Sequence, residues 1–192
     1  LRRLILDGTA KVGKLTVSKA NIQEILVKIK AKNGIINLDP MKLKMYQGNA
    51  DSKASLNVVK DIPRTSFNMR INKIQVEPLL KDVLGKDFLQ GNTNADINLS
   101  MTGDDPERIK KTLNSKGELR FDDGAIVGID LAGMARNIGS AFGLAQKDGQ
   151  RPKTDFTELM MPFTIKNGVA NTPQTSLKSP FIRIIAAGTA DL

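Results

Sequence analysis

Strict alternation of apolar and polar residues is the feature of this sequence that most restricts its fold. Across residues 94–102, Ala95, Ile97, Leu99 and Met101 alternate with polar residues. Successive side chains of a β-strand point to opposite faces, so this pattern predicts a strand with one apolar and one polar face. The alternation recurs at residues 25–31, 41–45, 54–58 and 66–72. The sequence therefore predicts a mainly β fold with a few short helices, built on an antiparallel sheet with a single apolar side.

The apolar residues of two of these segments form the face that we select as the candidate binding surface. Its members are Phe67, Met69, Ile71, Ala95, Ile97, Leu99 and Met101. Two architectures accommodate such a face. In a β-sandwich two sheets bury their apolar sides against each other, whereas a curved antiparallel sheet forms an open groove or half-barrel. The alternation by itself is equally compatible with both.

Three two-residue sequences ending in glycine lie between alternating segments and predict β-hairpins. They are Asn33-Gly34, Asp123-Gly124 and Asn167-Gly168. Asn-Gly and Asp-Gly favour type I′ turns because both central residues of that turn need a positive φ. Since a two-residue turn sets the strand register, we expect three opposed pairs: Ala31 with Ile36, Phe121 with Ile126, and Ile165 with Ala170.

Short helices are predicted at three places. One covers residues 106–113 with Asp105 as its N-cap and a proline in its first turn. A second covers residues 78–84 and ends at Gly85. A third begins after Asp130, and its apolar side consists of Leu131, Met134, Ile138 and Phe142.

These elements suggest one β-rich domain over residues 1–192, which we expect to be a segment of a longer chain. Residues 1–104 form the first portion of the sheet, and residues 105–143 form an insert of helix, hairpin and helix. Residues 144–154 lack apolar periodicity and predict a mobile loop. Residues 155–192 supply the final strands.

The absence of Cys and His excludes whole classes of chemistry. It excludes disulfides, zinc sites with nitrogen or sulfur ligands, and catalytic triads that depend on imidazole. Two acidic pairs, Asp104-Asp105 and Asp122-Asp123, are better explained by a helix cap and a turn than by metal binding or acid–base catalysis. We therefore expect no catalytic residue, no metal and no cofactor, and a protein that is not an enzyme.

The formal net charge of +9 favours an anionic partner. Aromatic residues make up 4% of the chain, too few for stacking on nucleic-acid bases, so we do not expect nucleic acid as that partner. The polar side of neighbouring strands carries a basic stripe made of Lys28, Lys30, Lys42 and Lys44. This stripe is either a solvated face that discourages pairing between sheet edges or a site for lipid headgroups.

Several motifs resemble the AsmA family, in particular the C-terminal region of AsmA and TamB-like proteins. The most specific is the sequence Asp-Gly-Ala-Ile-Val-Gly-Ile-Asp-Leu at residues 123–131, with Gly124, Gly128 and Asp130 as structural positions. Residues 154–159, 165–169 and 177–180 continue the resemblance. The first part of the chain is similar at residues 6–15, 33–40 and 46–48, so the resemblance covers nearly the whole sequence.

The resemblance implies a periplasmic protein of Gram-negative bacteria that an N-terminal helix tethers to the inner membrane. It also implies a curved sheet whose apolar inner face carries phospholipid acyl chains towards the outer membrane, which favours the open groove over the sandwich. The implied partner is phospholipid. The alternative is a non-catalytic scaffold or docking module for outer-membrane protein assembly, which adds a strand at an open sheet edge.

Overall fold

A single antiparallel sheet of ten strands makes up most of the molecule. The computed structural model describes residues 1–136, 151–180 and 182–192. In chain order the strands are β1 (Leu6–Val17), β2 (Ala20–Lys32), β3 (Ile35–Met45), β4 (Gly48–Asn57), β5 (Arg64–Gln75), β6 (Asn92–Thr102), β7 (Asn114–Val127), β8 (Lys153–Lys166), β9 (Val169–Lys178) and β10 (Arg183–Asp191). Each strand pairs with the one that precedes it, so the order of strands in the sheet is the order in the chain.

The sheet is curved and open, with β1 and β10 as its two edges. The prediction of a mainly β fold with a curved antiparallel sheet is therefore confirmed. The alternative of a β-sandwich is wrong, because the strands of the described residues all hydrogen-bond into one sheet instead of dividing into two that face each other.

In the part of the chain that the structure describes, three short helices lie in the connections between strands: α1 (Val76–Leu84), α2 (Pro106–Thr112) and α3 (Leu131–Arg136). The predicted helix at residues 78–84 starts two residues earlier than expected, and Gly85 ends it in the left-handed conformation with φ 67°. The Asp105 side chain accepts a hydrogen bond from the Arg108 amide at 2.9 Å, as expected of an N-cap. Of the helices that the structure describes, none combines the length and the apolar character that a membrane crossing requires.

The third predicted helix is described over its first turns. Asp130 precedes it and accepts a hydrogen bond from the Gly133 amide at 2.7 Å. Ile138 and Phe142, which the prediction placed on its apolar side, lie outside the described residues, as do most of residues 144–154. The last two residues of that predicted loop, Lys153 and Thr154, belong instead to β8, where they pair with β7.

Two of the three predicted hairpin turns are confirmed. Asn33 and Gly34 have φ values of 52° and 75°, and Asn167 and Gly168 have 52° and 82°, as a type I′ turn requires. The expected register follows in both hairpins, with Ala31 opposite Ile36 and Ile165 opposite Ala170.

The third predicted hairpin, at Asp123-Gly124, is wrong. Strand β7 continues through these residues, so Phe121 pairs with Leu159 and Ile126 with Thr154. Asp123 has a positive φ of 50° but Gly124 does not, and one left-handed residue bends a strand without reversing it. Gly124 is needed for space, because a Cβ at this position would collide with the Gln90 carbonyl oxygen.

Substitution of the turn glycines tests the two confirmed hairpins. We expect Gly34→Val to lower the free energy of unfolding by about 1 to 2 kcal/mol, because a β-branched residue is strained at positive φ. Gly168→Val is expected to cost more, since its Cβ would also lie 2.5 Å from the Lys110 carbonyl oxygen. Urea denaturation measures both.

Gly13→Val is the matched control for these two variants. Gly13 lies in β1, and a Cβ there meets no atom within 4 Å. If Gly34→Val and Gly168→Val unfold at the same urea concentration as Gly13→Val, the left-handed turns contribute nothing to stability and the assignment fails.

Candidate functional site

The seven residues of the predicted apolar face lie side by side on β5 and β6. Strand pairing places Phe67 opposite Leu99, Met69 opposite Ile97, and Ile71 opposite Ala95. Met101 extends the same face by one pair, opposite Thr65. Because directly opposed residues of a sheet point to the same side, all seven side chains share one face.

This face continues far beyond the two strands from which it was predicted. Three rows of opposed residues run across the sheet from β2 or β3 to β8. The first row is Ile29, Leu38, Ala54, Phe67, Leu99, Ser115 and Ile165; the middle row is Val27, Met41, Ser52, Met69, Ile97, Gly117 and Phe163; the third row is Leu43, Ala50, Ile71, Ala95, Leu119 and Met161. We call these three rows, together with Met101, the apolar face.

Bulges keep the apolar residues of β3 and β5 on this face. The β3–β4 register shifts between Leu38 and Met41, so that two residues three positions apart point to the same side. A similar shift follows Ile71 in β5, where Lys73 has a φ of 52°. Without such irregularities the period of two would carry the apolar side chains to the opposite side.

Burial on the apolar face fits the inside of a curve. The larger members, such as Phe67, Met69 and Ile97, are half-buried although they lie in an open sheet. Small residues between them are covered almost completely: Ala50 is 2% exposed and Ser52 is 4% exposed. Larger neighbours must lean over these small side chains, which happens where a sheet bends towards that face.

The opposite side of the sheet is exposed, polar and internally paired. Arg70 and Asp96 form a cross-strand ion pair of 3.1 Å, and Asn68 hydrogen-bonds Asn98. A shallow depression on this side is bordered by Lys42 and other charged residues, whose charges alternate in sign. Its polar groups satisfy one another and present no concentrated charge to a ligand.

The lysines of the basic stripe lie on this polar side. Lys30 lies 3.7 Å from Asp7, Lys42 lies 3.8 Å from Asp51, and Lys44 lies 2.6 Å from Glu24. Lys28 is exposed on the same side, opposite Thr9 of β1. Cross-strand carboxylates therefore engage three of the four lysines, which favours a solvated face over a headgroup site.

One end of the apolar face is covered by a hydrophobic core. Its buried members are Val76, Leu89, Phe121, Phe156, Leu159 and Leu177, and Leu80 packs against them from the side of α1. The opposite part of α1 is fixed by Tyr46, whose hydroxyl donates to the Asp82 carboxylate at 2.7 Å. Burial raises the pKa of Tyr46, and the hydrogen bond to Asp82 raises it further, so this contact persists at neutral pH.

Hydrocarbon and thioether groups dominate the apolar face, and its few polar atoms offer little chemistry. The Ser52 hydroxyl is buried and has no hydrogen-bond partner, and the same holds for Thr93, which lies beside the third row. Ser52 sits between Met41 and Met69, so no base approaches it. Such a surface can bind apolar groups by contact area.

The acidic pairs considered in the sequence have structural roles. Asp105 caps α2, and Asp104 lies 3.5 Å from Arg108 one turn later. Asp122 accepts hydrogen bonds from Asn94 and Arg120. Within the described residues, no three acidic side chains come together as metal ligands would.

The structural positions that the sequence analysis selected shape the backbone. Gly124 allows the close approach of Gln90 to β7, and Gly128 turns the chain with a φ of 103° while its amide donates to the Pro152 carbonyl at 2.7 Å. Asp130 caps α3. Asn33, Gly34, Asn167 and Gly168 form the two hairpin turns, so all seven motif residues act on local conformation and none lies on the apolar face.

Sequence reasoning missed the contribution of β7 and β8 to the apolar face. Leu119, Met161 and Phe163 belong to the rows described above, next to the β6 residues that were selected. Residues 117–121 and 161–165 do alternate, which would have been a sufficient signal. The presumed turn at Asp123-Gly124 divided β7 in the prediction and hid its full length.

Comparison with protein families gives one match, to the model described as AsmA family, over residues 5–175. The match includes strands β1 to β8 and most of β9. No curated protein and no solved structure matches the chain.

Proposed function

This chain belongs to the AsmA family, a family of bacterial envelope proteins, and from that premise we propose that its apolar face binds phospholipid acyl chains. In this proposal the protein is a non-catalytic carrier in the periplasm, tethered to the inner membrane. It helps to transfer phospholipid between the inner and outer membranes and so supports outer-membrane biogenesis. It needs no cofactor.

The observation that carries this proposal is the continuity of the apolar face. Its rows cross six or seven consecutive strands, and the larger side chains remain accessible because no second sheet covers them among the described residues. Strands lie about 4.8 Å apart, so rows of this extent form an apolar track roughly 25 to 30 Å long. A track that crosses the strands lets a bound chain move along it without meeting a polar row.

The energy available on such a surface is sufficient for binding without polar contacts. Removing one acyl methylene from water is worth about 0.8 kcal/mol, so ten of them contribute a gross ~8 kcal/mol before ordering costs. Contact area of this kind does not select among headgroups. We therefore expect affinity to depend on acyl-chain length more strongly than on headgroup chemistry.

Native mass spectrometry with lipid extraction tests the proposal. Chain purified from a bacterial envelope without harsh detergent is expected to retain phospholipid, and delipidated chain is expected to take up labelled phospholipid from vesicles. A lipid that shares the headgroup but has short acyl chains is the control and should bind weakly. Protein that neither retains nor takes up phospholipid would contradict the proposal.

A second candidate function, docking to outer-membrane assembly proteins, rests on the edge strand β10. Between Arg183 and Asp191 this strand contains no charged residue, and most of it is exposed. Uncharged edges are templates for strand addition, whereas β1 at the opposite edge carries Lys11 and Lys14. A docking module would bind its protein partner equally well with or without phospholipid, which separates the two proposals.

A further inference from the structure

A second group of exposed apolar side chains lies at one end of the sheet, outside the three rows of the apolar face. It is formed by the N-terminal residues, the β2–β3 turn and the connection between β4 and β5. Ile5 is 80% exposed, Val59 is 53% exposed, and Ile62 is also exposed. We call this surface the basic tip and define it by Arg3, Ile5, Lys32, Val59, Lys60 and Ile62.

Specific contacts hold the three segments of the basic tip together. The Arg2 guanidinium donates to the Val58 carbonyl at 2.9 Å and forms an ion pair of 2.6 Å with Asp61, which fastens the N-terminal residues to the connection. The Val58 amide donates to the Gly34 carbonyl at 2.8 Å, which fastens the connection to the β2–β3 turn. The exposed apolar side chains are thus presented by one ordered surface.

The charge of this surface is strongly one-sided. Residues 1–5, 32–35 and 57–64 contain five cations, which are Arg2, Arg3, Lys32, Lys60 and Arg64, and one acid, Asp61. Arg2 already pairs with that acid. The remaining cations are exposed and lie in the same three segments as the exposed apolar side chains.

An exposed apolar group at the opposite end of the sheet lacks this charge. Val83, Leu84 and Phe88 are exposed at the opposite end of the sheet. Residues 81–88 carry two cations, Lys81 and Lys86, and two acids, Asp82 and Asp87. Of these two groups, only the basic tip combines exposed apolar side chains with an excess of positive charge.

We infer that the basic tip docks on the surface of a bilayer that contains anionic phospholipid. Exposed aliphatic side chains enter the boundary between headgroups and acyl chains, while surrounding Lys and Arg side chains remain at the level of the phosphates. Each cation near an anionic surface strengthens binding, and salt screens this electrostatic contribution. The apolar side chains add a contribution to the binding free energy that salt does not screen. Docking through the tip does not depend on whether the apolar face carries lipid.

A tryptophan reporter tests this inference without background, because the chain contains no Trp. Val59→Trp is expected to shift its emission to the blue with vesicles of phosphatidylglycerol and phosphatidylcholine, and not with phosphatidylcholine alone. Leu84→Trp, at the opposite end, is the control and should not shift. An unchanged Val59→Trp spectrum would overturn the inference, and it is the result expected if the tip binds an acidic protein instead. Equal shifts of the Val59→Trp and Leu84→Trp reporters would also overturn it, and so would equal shifts with the two kinds of vesicle.

Removal of charge tests the basic half of the surface. Arg3→Gln with Lys60→Gln is expected to weaken vesicle binding roughly fivefold for each cation removed. Lys28→Gln with Lys42→Gln removes the same charge from the polar side of the sheet and should leave binding nearly unchanged. Equal weakening by both double variants would mean that net charge alone attracts the vesicles, and the tip would not be a docking site.

The same variants separate tip docking from lipid carriage. Arg3→Gln with Lys60→Gln is expected to keep its bound phospholipid, since neither residue lies on the apolar face. Protein that binds vesicles through Val59 but never holds phospholipid would remove the carrier proposal and keep the tip. Protein that holds phospholipid but gives no Val59→Trp shift would remove the tip-docking inference and keep the carrier proposal.

Discussion

Ile97→Asp is expected to remove bound phospholipid while leaving the fold intact. Ile97 lies in the middle row of the apolar face, between Met69 and Gly117, and is half-buried. A carboxylate there would lose its hydration whenever an acyl chain covered it, so we expect lipid occupancy to fall at least about tenfold. In the free protein the same carboxylate faces an open groove and keeps contact with water. The melting temperature should therefore drop by no more than about 4 °C, the shift that corresponds to roughly 1 kcal/mol.

Ser100→Asp is the matched control for this variant. Ser100 lies three residues further along β6 on the polar side, so the added carboxylate is exposed and cannot meet an acyl chain. Lipid occupancy and melting temperature are measured together for both proteins. Full lipid retention by Ile97→Asp would end the carrier proposal for this face. Outright unfolding would show that something covers Ile97, contrary to an open groove.

Two phenylalanines on the same side of the sheet are expected to differ sharply in their contribution to stability. Phe121 belongs to the core under α1 and is 5% exposed, whereas Phe67 lies on the apolar face and is half-buried. Phe121→Ala should lower the free energy of unfolding by about 3 to 5 kcal/mol, because it leaves a cavity among residues that cannot close it. Phe67→Ala should cost less, about 1 to 2 kcal/mol, since part of the Phe67 side chain is already exposed on the open face and its removal leaves no enclosed cavity.

Urea denaturation of the two variants measures this difference directly, with the slope of the transition as a check that each still unfolds in one step. Similar losses at both positions would mean that Phe67 is packed as tightly as Phe121, and the face would not be open. Lipid added to the wild type should raise stability, and it should raise that of Phe67→Ala less, because the variant offers less contact area.

The pattern of the sequence was sufficient to predict the faces of the strands and insufficient to predict where β7 bends. Alternation at residues 94–102 translates directly into the side occupied by Ile97, because the period of a strand is two. Asp123-Gly124 has the composition of a turn, yet hydrogen bonds from β8 and from the Gln90 amide hold the segment extended. These partners are distant in the chain, so a local signal cannot reveal them.

The charged side of the sheet illustrates the same limit. The sequence placed Lys42 and Lys44 on the polar side correctly, but their partners Asp51 and Glu24 depend on the register of two neighbouring strands. That register includes a shift near Glu24, whose φ is 48°. Bulges of this kind arise from backbone geometry, which composition and periodicity do not encode. The basic tip was missed for a related reason, since it unites three segments that lie far apart in the sequence.

The strictly sequential order of the strands has a consequence for how such a protein can change in length. Because the principal strand–strand contacts all join consecutive strands, the sheet behaves as a one-dimensional array in which each hairpin depends on its nearest neighbours. Insertion or loss of one hairpin away from the core under α1 would alter the span by about 10 Å, twice the spacing between strands, and leave the remaining pairings in place. Evolution can therefore adjust the distance that such a protein bridges by duplicating or deleting hairpins, without redesigning the fold.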